Sequence, residues 1–300
     1  MEFTVKSVFC PLVTGVLWLL LVGCAQTPTA PQITIDTLDI TALQEVDNQI
    51  TALNRQYGAT NVLVVTDIDN TVLTATADLG SDIWYQWQTG KLDVQPTPQQ
   101  QVDCLYEDAI GLLYALAPMQ LTEPAVPALL ASWQQQGNPV IALTARGPAT
   151  RAATERELAR YQLDFAQNPI RGKHHEPLLL RDTLEREYSY MKGIMMTSGQ
   201  NKGLMLQRLI KQADQHYKAI VFIDDSAKNI ANMVNAYEQT GDTSVYAYYY
   251  TLVEHQRLKE NGAIITSEQA AAMTRQYQQL TNVIRSIYPA RPTDGQCLGQ

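Results

Sequence analysis

The chain has 300 residues, of which 45% are hydrophobic and 17% are charged, and its formal net charge at pH 7 is −8. This acidity argues against nucleic acid as a partner, because phosphate backbones are bound by clustered lysines and arginines, and the sequence contains no basic run. The sequence also contains no internal repeats and no low-complexity segments. Its length and its alternation of predicted strands and helices fit one domain with a small insert.

The first 23 residues predict a secretory signal peptide. Lys6 gives a positively charged start, and an apolar stretch follows from Val8 to Val22. This stretch is too short and begins too early for a membrane-spanning helix, which needs about 20 apolar residues.

The end of this segment, Leu21-Val22-Gly23-Cys24, resembles the bacterial lipobox, in which cleavage precedes a cysteine that then carries lipid. The alternative is an ordinary signal peptide with an accidental Cys24. Ala25 follows the cysteine, and in Gram-negative bacteria this pattern usually implies sorting to the outer membrane. The resemblance therefore implies a mature chain that begins at Cys24 and a tether over residues 24–35. It also implies a lipid anchor in the cell envelope, in the outer membrane and facing the periplasm or the surface.

The folded domain is expected over residues 36–300, and it begins with a helix and a strand. Leu38 to Tyr57 carries apolar residues at helical spacing, and Gly58 is suited to end that helix. We expect the helix to pack on the edge of a sheet whose first core strand spans about residues 61–67.

The run from Val62 to Leu73 ends an apolar, β-branched segment in two carboxylates, Asp67 and Asp69, followed by Thr71. Residues i and i+2 of a strand point to the same side, so these carboxylates should lie close together at the carboxyl end of the strand. Open parallel α/β sheets place their active sites at that end. One carboxylate can form an aspartyl-phosphate as a nucleophile, and the other can protonate the leaving oxygen and later activate water. The alternative is that both acids only cap or turn the chain after the strand.

The pattern of Asp67, Asp69 and Thr71 resembles the first motif of the haloacid dehalogenase superfamily. Three later segments resemble the other motifs of this superfamily, and they follow in the correct order. Such a motif set needs each segment in its proper local context, after a strand or at the start of a helix.

An insert of about residues 74–120 separates the first motif from the second. In this superfamily, insertions at this point form caps that cover the active site and select substrates. This one is expected to be mainly helical, with a helical run from Gln99 to Ala117. Trp84 and Trp87 either line the mouth of the substrate site, where they could stack on a ring, or anchor the insert to the core.

The second motif follows a helix predicted near residues 123–136. It is the apolar run from Val140 that ends at Thr144, whose hydroxyl is implied by the resemblance to hold a phosphate oxygen. Arg146 either adds a charge-assisted bond to the phosphate or is a surface charge at the start of the next helix.

Between the second and third motifs we expect a helix over about residues 149–162, a short strand from Leu163, and a strand or hairpin within residues 187–197. The adjacent His174 and His175 suggest a metal site. Neighbouring side chains of a strand diverge, however, and no further histidine lies close in sequence, so exposed loop histidines are the favoured interpretation.

The third motif is represented by Lys202, which opens a strongly periodic helical segment. In the superfamily, a lysine at a helix start neutralises the nucleophile and the phosphate. Lys192 is a weaker candidate for the same role.

The fourth motif is a buried-strand pattern that ends in adjacent acids, Asp224 and Asp225. Adjacent carboxylates repel each other and need a nearby cation, and Mg²⁺ prefers oxygen ligands. Asn229 would orient this acidic pair.

By resemblance, the direct ligands of Mg²⁺ would be Asp67, Asp224 and the backbone carbonyl of Asp69. Asp225 would bind the metal through water or would pair with Lys202. A small phosphorylated substrate would complete the site.

The last core strand is predicted from Ser244 to Tyr250. Two helices of about residues 251–260 and 267–287 should then cover the sheet.

Cys104 and Cys297 remain once the signal peptide and the lipid site are set aside. An oxidising periplasm permits a disulfide between them, which would tie the C-terminal tail to the insert. The alternative is a buried Cys104 with a free thiol in the tail.

Together, the four motifs imply an α/β fold, a Rossmann-like doubly wound parallel sheet with a small, mainly helical cap between the first two motifs. The implied activity is Mg²⁺-dependent hydrolysis of small phosphomonoesters through an aspartyl-phosphate at the cell envelope. The chain resembles lipid-anchored bacterial acid phosphatases, and also bacterial lipoproteins of this superfamily that have no assigned function. Two alternatives stay open: a surface lipoprotein that uses the fold for binding without turnover, and a phosphotransferase that uses the same motifs. The sequence leaves the natural substrate and the oligomeric state open.

Overall fold

The computed structural model describes residues 1–4, 33–289 and 297. The chain divides into two compact units, residues 1–32 and residues 33–300, and the fold below is that of the second unit. Cys24 and nearly all of the predicted signal peptide and tether lie outside the described residues. Among the residues described, no helix combines the length and the apolar character that crossing a bilayer requires.

Strands of the second unit build one large sheet and one small ribbon. The strands are β1 (Ile35–Ile40), β2 (Val62–Thr66), β3 (Leu73–Ala75), β4 (Met119–Leu121), β5 (Val140–Thr144), β6 (Leu180–Thr183), β7 (Glu187–Met191), β8 (Ile194–Met196), β9 (Ala219–Asp224) and β10 (Ser244–Tyr250). In the described region, the large sheet has eight strands in the order β1-β10-β9-β2-β5-β8-β7-β6, and β3 pairs with β4. Neighbours from β1 to β8 are parallel, whereas β7 and β6 continue the sheet in antiparallel fashion.

Helices flank this sheet and fill the insert. They are α1 (Gln44–Tyr57), α2 (Asp82–Gln88), α3 (Ile110–Leu116), α4 (Val126–Gln135), α5 (Arg151–Arg160), α6 (Lys202–Ala213), α7 (Ala227–Glu238), α8 (Leu252–Asn261) and α9 (Ser267–Ile287). Short 3₁₀ turns occur at Ala59–Asn61 and Pro148–Thr150, and a π-helical turn occurs at Leu105–Ala109. The helices predicted near 123–136 and 149–162, the hairpin within 187–197 and the strand from Ser244 to Tyr250 are confirmed as α4, α5, β7–β8 and β10.

Alternating side chains of β2 pack into two separate clusters. Val62 and Val64 lie with buried residues of α1 and α4, whereas Leu63 and Val65 lie with buried residues of α6 and α7. Because successive strand residues point to opposite faces, these clusters are the two sides of one sheet. The predicted α/β class, with helices on both faces of a mostly parallel sheet, is confirmed.

The start of the domain differs from the prediction. Ile35–Ile40 forms the edge strand β1, paired with β10, where the pattern predicts the end of a tether and the start of a helix. Leu38, the first apolar residue of the predicted helix, is 53% exposed and lies in this strand instead. Helix α1 begins only at Gln44, with Glu45 and Asp47 in the first turn, where negative charge is favourable.

The short strand predicted from Leu163 is wrong. Leu163 and Phe165 are buried in the core, but residues 163–165 form no strand. The reason is that β5 is already paired on both sides, by β2 and β8, which leaves no neighbouring ladder position. Burial alone therefore produced the strand-like pattern.

The insert is closed at its base by the antiparallel pair β3–β4, in which Thr74 lies opposite Gln120. Helix α2, the π-helical turn and α3 lie between these two strands. The insert is thus mainly helical and leaves the core through one short ribbon.

The apolar side of the insert packs against the C-terminal helix. Trp84 and Trp87 of α2 are 1% and 0% exposed, and they lie in one cluster with Ala270 and Met273 of α9. The prediction that the last helix covers the sheet is therefore wrong, since α9 covers the insert. Both tryptophans anchor the insert to α9 rather than to the core, and the suggestion that they line a substrate mouth is wrong as well.

Two further links tie the insert to the C-terminal region. Arg257 of α8 donates to Asp78 at 2.8 Å, and Cys104 forms a disulfide with Cys297. Together with the cluster around α9, these links hold the insert against the C-terminal region.

Candidate active site

Three neighbouring parallel strands bring predicted site residues together at one edge of the sheet. Thr144 is the last residue of β5, Asp224 is the last residue of β9, and Asp67 directly follows β2, which lies between them. The backbone N–H of Asp67 donates to the carbonyl of Ile223 at 2.8 Å, which holds Asp67 in register with β9. This edge is the place where open α/β sheets bind ligands.

Lys202 lies between two of the acids. Its Nζ is 2.9 Å from Oδ1 of Asp67 and 2.7 Å from Oδ2 of Asp224. The lysine side chain is 1% exposed, and buried charges of this kind are stable only when they are paired. Lys192, the weaker candidate for this role, is exposed and pairs with Glu155 at 2.9 Å.

Close helix packing fixes the position of this lysine. Lys202 is the first residue of α6, and the Asn201 side chain caps the helix by accepting the N–H of Leu204 at 3.1 Å. The next residue, Gly203, allows α6 to approach α7, because a Cβ there would clash with the carbonyl oxygen of Asn232. The lysine is therefore presented by a rigid helix start.

Burial and the neighbouring charges shift the pKa values of Asp67 and Lys202. Burial raises the pKa of Asp67 to about 8, with the charges of Asp224 and Asp69 acting in the same direction and Lys202 acting against them. Burial alone would lower the pKa of Lys202, but the charges of Asp224 and Asp67 outweigh it and raise that pKa. The acids thus favour the charged lysine, whereas burial opposes the ionised form of Asp67 more strongly than Lys202 favours it.

A third acid completes a cluster that could hold a metal ion. Asp67, Asp224 and Asp225 each offer a carboxylate oxygen, and these oxygens lie within 4.8 Å of one another. Oδ1 of Asp224 also accepts hydrogen bonds from the Asn229 amide at 2.9 Å and from the Ser226 N–H at 3.0 Å. Burial, followed by the charges of neighbouring acids, raises the pKa of Asp225 well above its usual range. In the described structure Asp225 forms no ion pair with Lys202.

The Asp69 carboxylate lies outside this cluster because Arg146 holds it. Nε and Nη2 of Arg146 donate to its two oxygens at 2.8 and 2.7 Å. Nη1 donates to Thr154 at 3.0 Å, and the guanidinium lies 4.2 Å from the centroid of the Tyr114 ring. Arg146 is only 5% exposed, so the suggestion of a surface charge is wrong. Contact between Arg146 and a phosphate would require this pair to open.

Of the remaining predicted residues, Thr144 lies at the site, whereas His174 and His175 do not. Thr144 is fully buried, and its hydroxyl accepts the N–H of Arg146 at 3.1 Å, while it donates no hydrogen bond to any described residue. His174 and His175 are exposed, as the loop interpretation predicts. Within the described part of the chain, neither belongs to a cluster of possible metal ligands.

Asp82 is a site residue that sequence reasoning missed. It is the first residue of α2 in the insert, and its carboxylate accepts hydrogen bonds from Gln86 and, at 3.5 Å, from Asn70 of the first motif. Burial and the negative charge of Asp69 raise the pKa of Asp82 to about 6, so the insert brings this acid close to the core acids. The sequence signal, Ser81 before an acid, is the ordinary pattern of a helix start and says nothing of a site.

A cavity opens between the insert and the core, beside Asp69. Its insert wall includes Gly80, Ser81, Tyr114 and Met119, and its core wall includes Asp69 and Arg146. The cavity is therefore next to the carboxylate that the motif pattern assigns to the leaving group.

A family model described as "Protein of unknown function (DUF2608)" matches residues 39–287. The match covers the described fold from the edge strand to the end of the last helix.

Two chlamydial proteins are similar to part of the chain. Both are named "Putative outer membrane protein", one from Chlamydia trachomatis serovar D and one from Chlamydia muridarum, and each is 23% identical over 175 residues. The matched segment covers 58% of this chain and 63% of each relative. The chain thus spans less than two thirds of the length of these curated relatives.

Among solved structures, the class C acid phosphatase from Bacillus anthracis matches with a TM-score of 0.34 and 13% identity, covering 78% of this chain and 86% of that chain. The same enzyme with tungstate bound matches with a TM-score of 0.32 and 13% identity, covering 77% and 86%. TM-scores of this size establish neither a shared fold nor a shared activity.

Proposed function

This chain belongs to the DUF2608 family, and we propose that it is a Mg²⁺-dependent phosphomonoesterase of the haloacid dehalogenase type. The observation that carries the proposal is the buried unit of Asp67, Lys202 and Asp224, joined by Asp225, at the carboxyl ends of parallel strands. Three acids around one lysine leave negative charge in excess, and buried unpaired charge is strongly destabilising. A divalent cation would balance this excess.

The donor set fits a hard divalent metal ion. All three acids offer oxygen, and their oxygens are close enough to share one ion. Burial raises the pKa values of Asp67 and Asp225, although Lys202 lies beside Asp67, so a divalent cation would favour the ionised form of both acids. The backbone carbonyl of Asp69 can join them while its side chain stays with Arg146. When bound, Mg²⁺ would neutralise charge on the transferred phosphoryl group and fix its orientation.

Asp67 is the nucleophile of the proposed reaction. Its Oδ1 is held by the Ile68 N–H at 2.7 Å and by Lys202 at 2.9 Å, which leaves Oδ2 to attack phosphorus. Attack forms the bond between Oδ2 and phosphorus and breaks the bond to the leaving oxygen. Water then cleaves the aspartyl-phosphate and regenerates Asp67.

Asp69 is the proposed acid and base. It would give a proton to the leaving oxygen and later take a proton from the attacking water. Arg146 donates hydrogen bonds to both carboxylate oxygens of Asp69. Asp69 can therefore act as an acid only after at least one of these hydrogen bonds breaks. An entering phosphate offers Arg146 another anionic partner, so substrate binding would drive the exchange.

Two further side chains would bind the phosphate. Thr144 has a hydroxyl proton that it donates to no described residue, and Lys202 carries a positive charge at the same edge of the sheet. Preorganised donors of this kind stabilise charge that develops in the transition state.

We place this activity at the cell envelope. The signal-peptide pattern and the lipobox-like Cys24 support this location, as do the names of the chlamydial relatives. A lipid anchor at Cys24 would hold the chain on the membrane, where it would meet small phosphomonoesters outside the cytoplasm.

The test is hydrolysis of an aryl phosphate by the full chain in detergent, with Mg²⁺ and with a chelator. We expect Mg²⁺-dependent phosphate release that Asp67→Asn abolishes. The matched control is Asp93→Asn, which removes the same charge at an exposed position of the insert and should be active. No turnover with any divalent metal by a folded protein would contradict the proposal and favour the binding role. Formation of alkyl phosphate on addition of an alcohol would instead identify a phosphotransferase.

A further inference from the structure

We infer that Asp82 makes this site selective for phosphomonoesters of small alcohols that carry a positively charged amine, and that it disfavours substrates with a second anionic group. The inference rests on the proposed phosphatase function and adds a substrate class for the same site. It starts from the cavity between the insert and the core.

This cavity is small and partly open to solvent, and it marks the side of Asp69 on which the leaving alcohol would lie. It borders Asp69, the residue proposed to protonate the leaving oxygen, and Ser81, the residue before Asp82. Met119 and the ring of Tyr114 give it apolar surface. A short alcohol attached to a phosphate at Asp67 would therefore extend past Asp69 toward the start of α2.

The charges around this cavity do not balance. Asp69 and Arg146 neutralise each other through their two hydrogen bonds, so no free cation is left among the described lining residues. Asp82 has only neutral partners, the amides of Gln86 and Asn70. Lys91 acts on Asp82 more weakly than burial and Asp69 do, and its ammonium lies over the ring of Tyr85, 4.4 Å from the centroid.

Two substrate classes would respond differently to this excess of negative charge. An ammonium group would gain the half-buried carboxylate of Asp82 as a partner, which is a charge-assisted contact. A second phosphate or a carboxylate would meet Asp82 and Asp69 without a cation to compensate, and like charges at short range in a low-dielectric site repel strongly.

The position of Asp82 is rigid enough to discriminate. The opposite side of α2 is anchored by Trp84 and Trp87 against α9, so the helix cannot turn its acid away without breaking that cluster. Gly80, just before α2, has a φ of +83°, and a Cβ there would clash with Leu113 of α3. The turn that delivers Asp82 is therefore fixed by both neighbouring helices of the insert.

The experiment compares three substrates of similar size with different charges on the alcohol: phosphoethanolamine, ethyl phosphate and phosphoglycolate. We would measure kcat/KM with Mg²⁺ for the full chain, Asp82→Asn and the matched control Asp93→Asn. The wild type should prefer phosphoethanolamine over phosphoglycolate by about tenfold or more, and tenfold corresponds to about 1.4 kcal/mol. In Asp82→Asn this ratio should fall toward one, whereas Asp93→Asn should keep it.

Several outcomes would overturn the inference. One is a wild-type protein that hydrolyses the three substrates equally well or prefers phosphoglycolate. Another is an Asp82→Asn variant that loses activity on all three in equal proportion, which would indicate a structural role. Weaker Mg²⁺ binding by Asp82→Asn, measured by calorimetry, would indicate a metal ligand instead.

A binding measurement separates this inference from the proposed function. If the wild type hydrolyses neither these substrates nor an aryl phosphate, the phosphatase proposal fails. Calorimetric affinities of the same three compounds for Asp67→Asn and for Asp67→Asn/Asp82→Asn then still decide selectivity. Tighter binding of phosphoethanolamine that depends on Asp82 supports the inference, and equal binding contradicts it.

Discussion

The core and the insert surround their acids with different partners. In the core, Asp67 and Asp224 share Lys202, and all three side chains are fixed by strand ends and a tightly packed helix. In the insert, Asp82 has only amide partners and is held by a helix that packs on α9. The core acids thus have a charged partner, whereas the acid of the insert has none among the described residues. Under the proposed function, the core would carry out the reaction and the insert would select the substrate.

Removal of the core lysine should have the largest effect. Lys202→Met leaves Asp67 and Asp224 buried without their shared cation, so the free energy of unfolding should fall by about 3 to 5 kcal/mol. Chemical denaturation measures this loss, and excess Mg²⁺ should restore only part of it. Lys192→Met, which breaks an exposed pair, is the control and should change stability by less than about 1 kcal/mol.

The acid–base role of Asp69 predicts an effect that depends on the leaving group. Asp69→Asn should lower kcat for an alkyl phosphate by about 10² to 10⁴-fold, because a poor leaving group needs the proton. An aryl phosphate with a good leaving group should lose much less. Equal losses on both substrates would show that Asp69 acts through Arg146 and the fold rather than by proton transfer.

The disulfide between the insert and the tail should contribute to stability. Cys104 and Cys297 are 193 residues apart in sequence, and cross-links of this kind typically contribute about 2 to 4 kcal/mol. The Cys104→Ser/Cys297→Ser variant should therefore unfold at lower denaturant concentration, while the core reaction with a small aryl phosphate persists. Unchanged stability would show that α9 and Arg257 are sufficient to hold the insert.

Metal and pH should act together on stability. Asp67 has a pKa of about 8 and Asp82 one of about 6 in the folded protein, against an ordinary value of 3.8 for both. Between these values the folded state holds protons that the unfolded state releases. The stability that these groups contribute is thus complete below about pH 4 and is lost as the pH rises toward about 8.

Because the proposed Mg²⁺ ligands are ionised acids, the stabilisation that Mg²⁺ provides should grow over the same pH range. Saturation at about 100 times the dissociation constant would contribute about 2.7 kcal/mol. Thermal unfolding in chelator and in Mg²⁺, at about pH 5 and about pH 8, measures both trends. A Mg²⁺ effect that is larger at the lower pH would contradict the proposed ligands.

Much of the core could be predicted from the sequence, because its strands are short apolar runs that end in polar motif residues. Asp67, Thr144 and Asp224 lie at neighbouring strand ends, as the motif order implies. The edge strand β1 escaped prediction because four of its six residues are exposed and give no apolar pattern. The strand predicted from Leu163 was the opposite error, because Leu163 is buried and apolar but does not belong to a strand.

The insert was harder to predict because its contacts are distant in sequence. Nothing local shows that Trp84 packs beside Tyr277 of α9, with ring centroids 6.3 Å apart, or that Arg146 is held by Asp69. Asp82 has the local pattern of any acid at a helix start, and only the packing of α2 turns it toward the core. Tertiary contacts of this kind decide the roles of these side chains.

The most direct test of the account is detection of the aspartyl-phosphate on Asp67. The full chain would be mixed with an aryl phosphate and Mg²⁺, quenched in acid within the first turnover, and digested for mass spectrometry. We expect a phosphate adduct on the peptide that contains Asp67, absent when Mg²⁺ is chelated and absent in Asp67→Asn. Phosphate release without this adduct, or with an adduct on another residue, would contradict it.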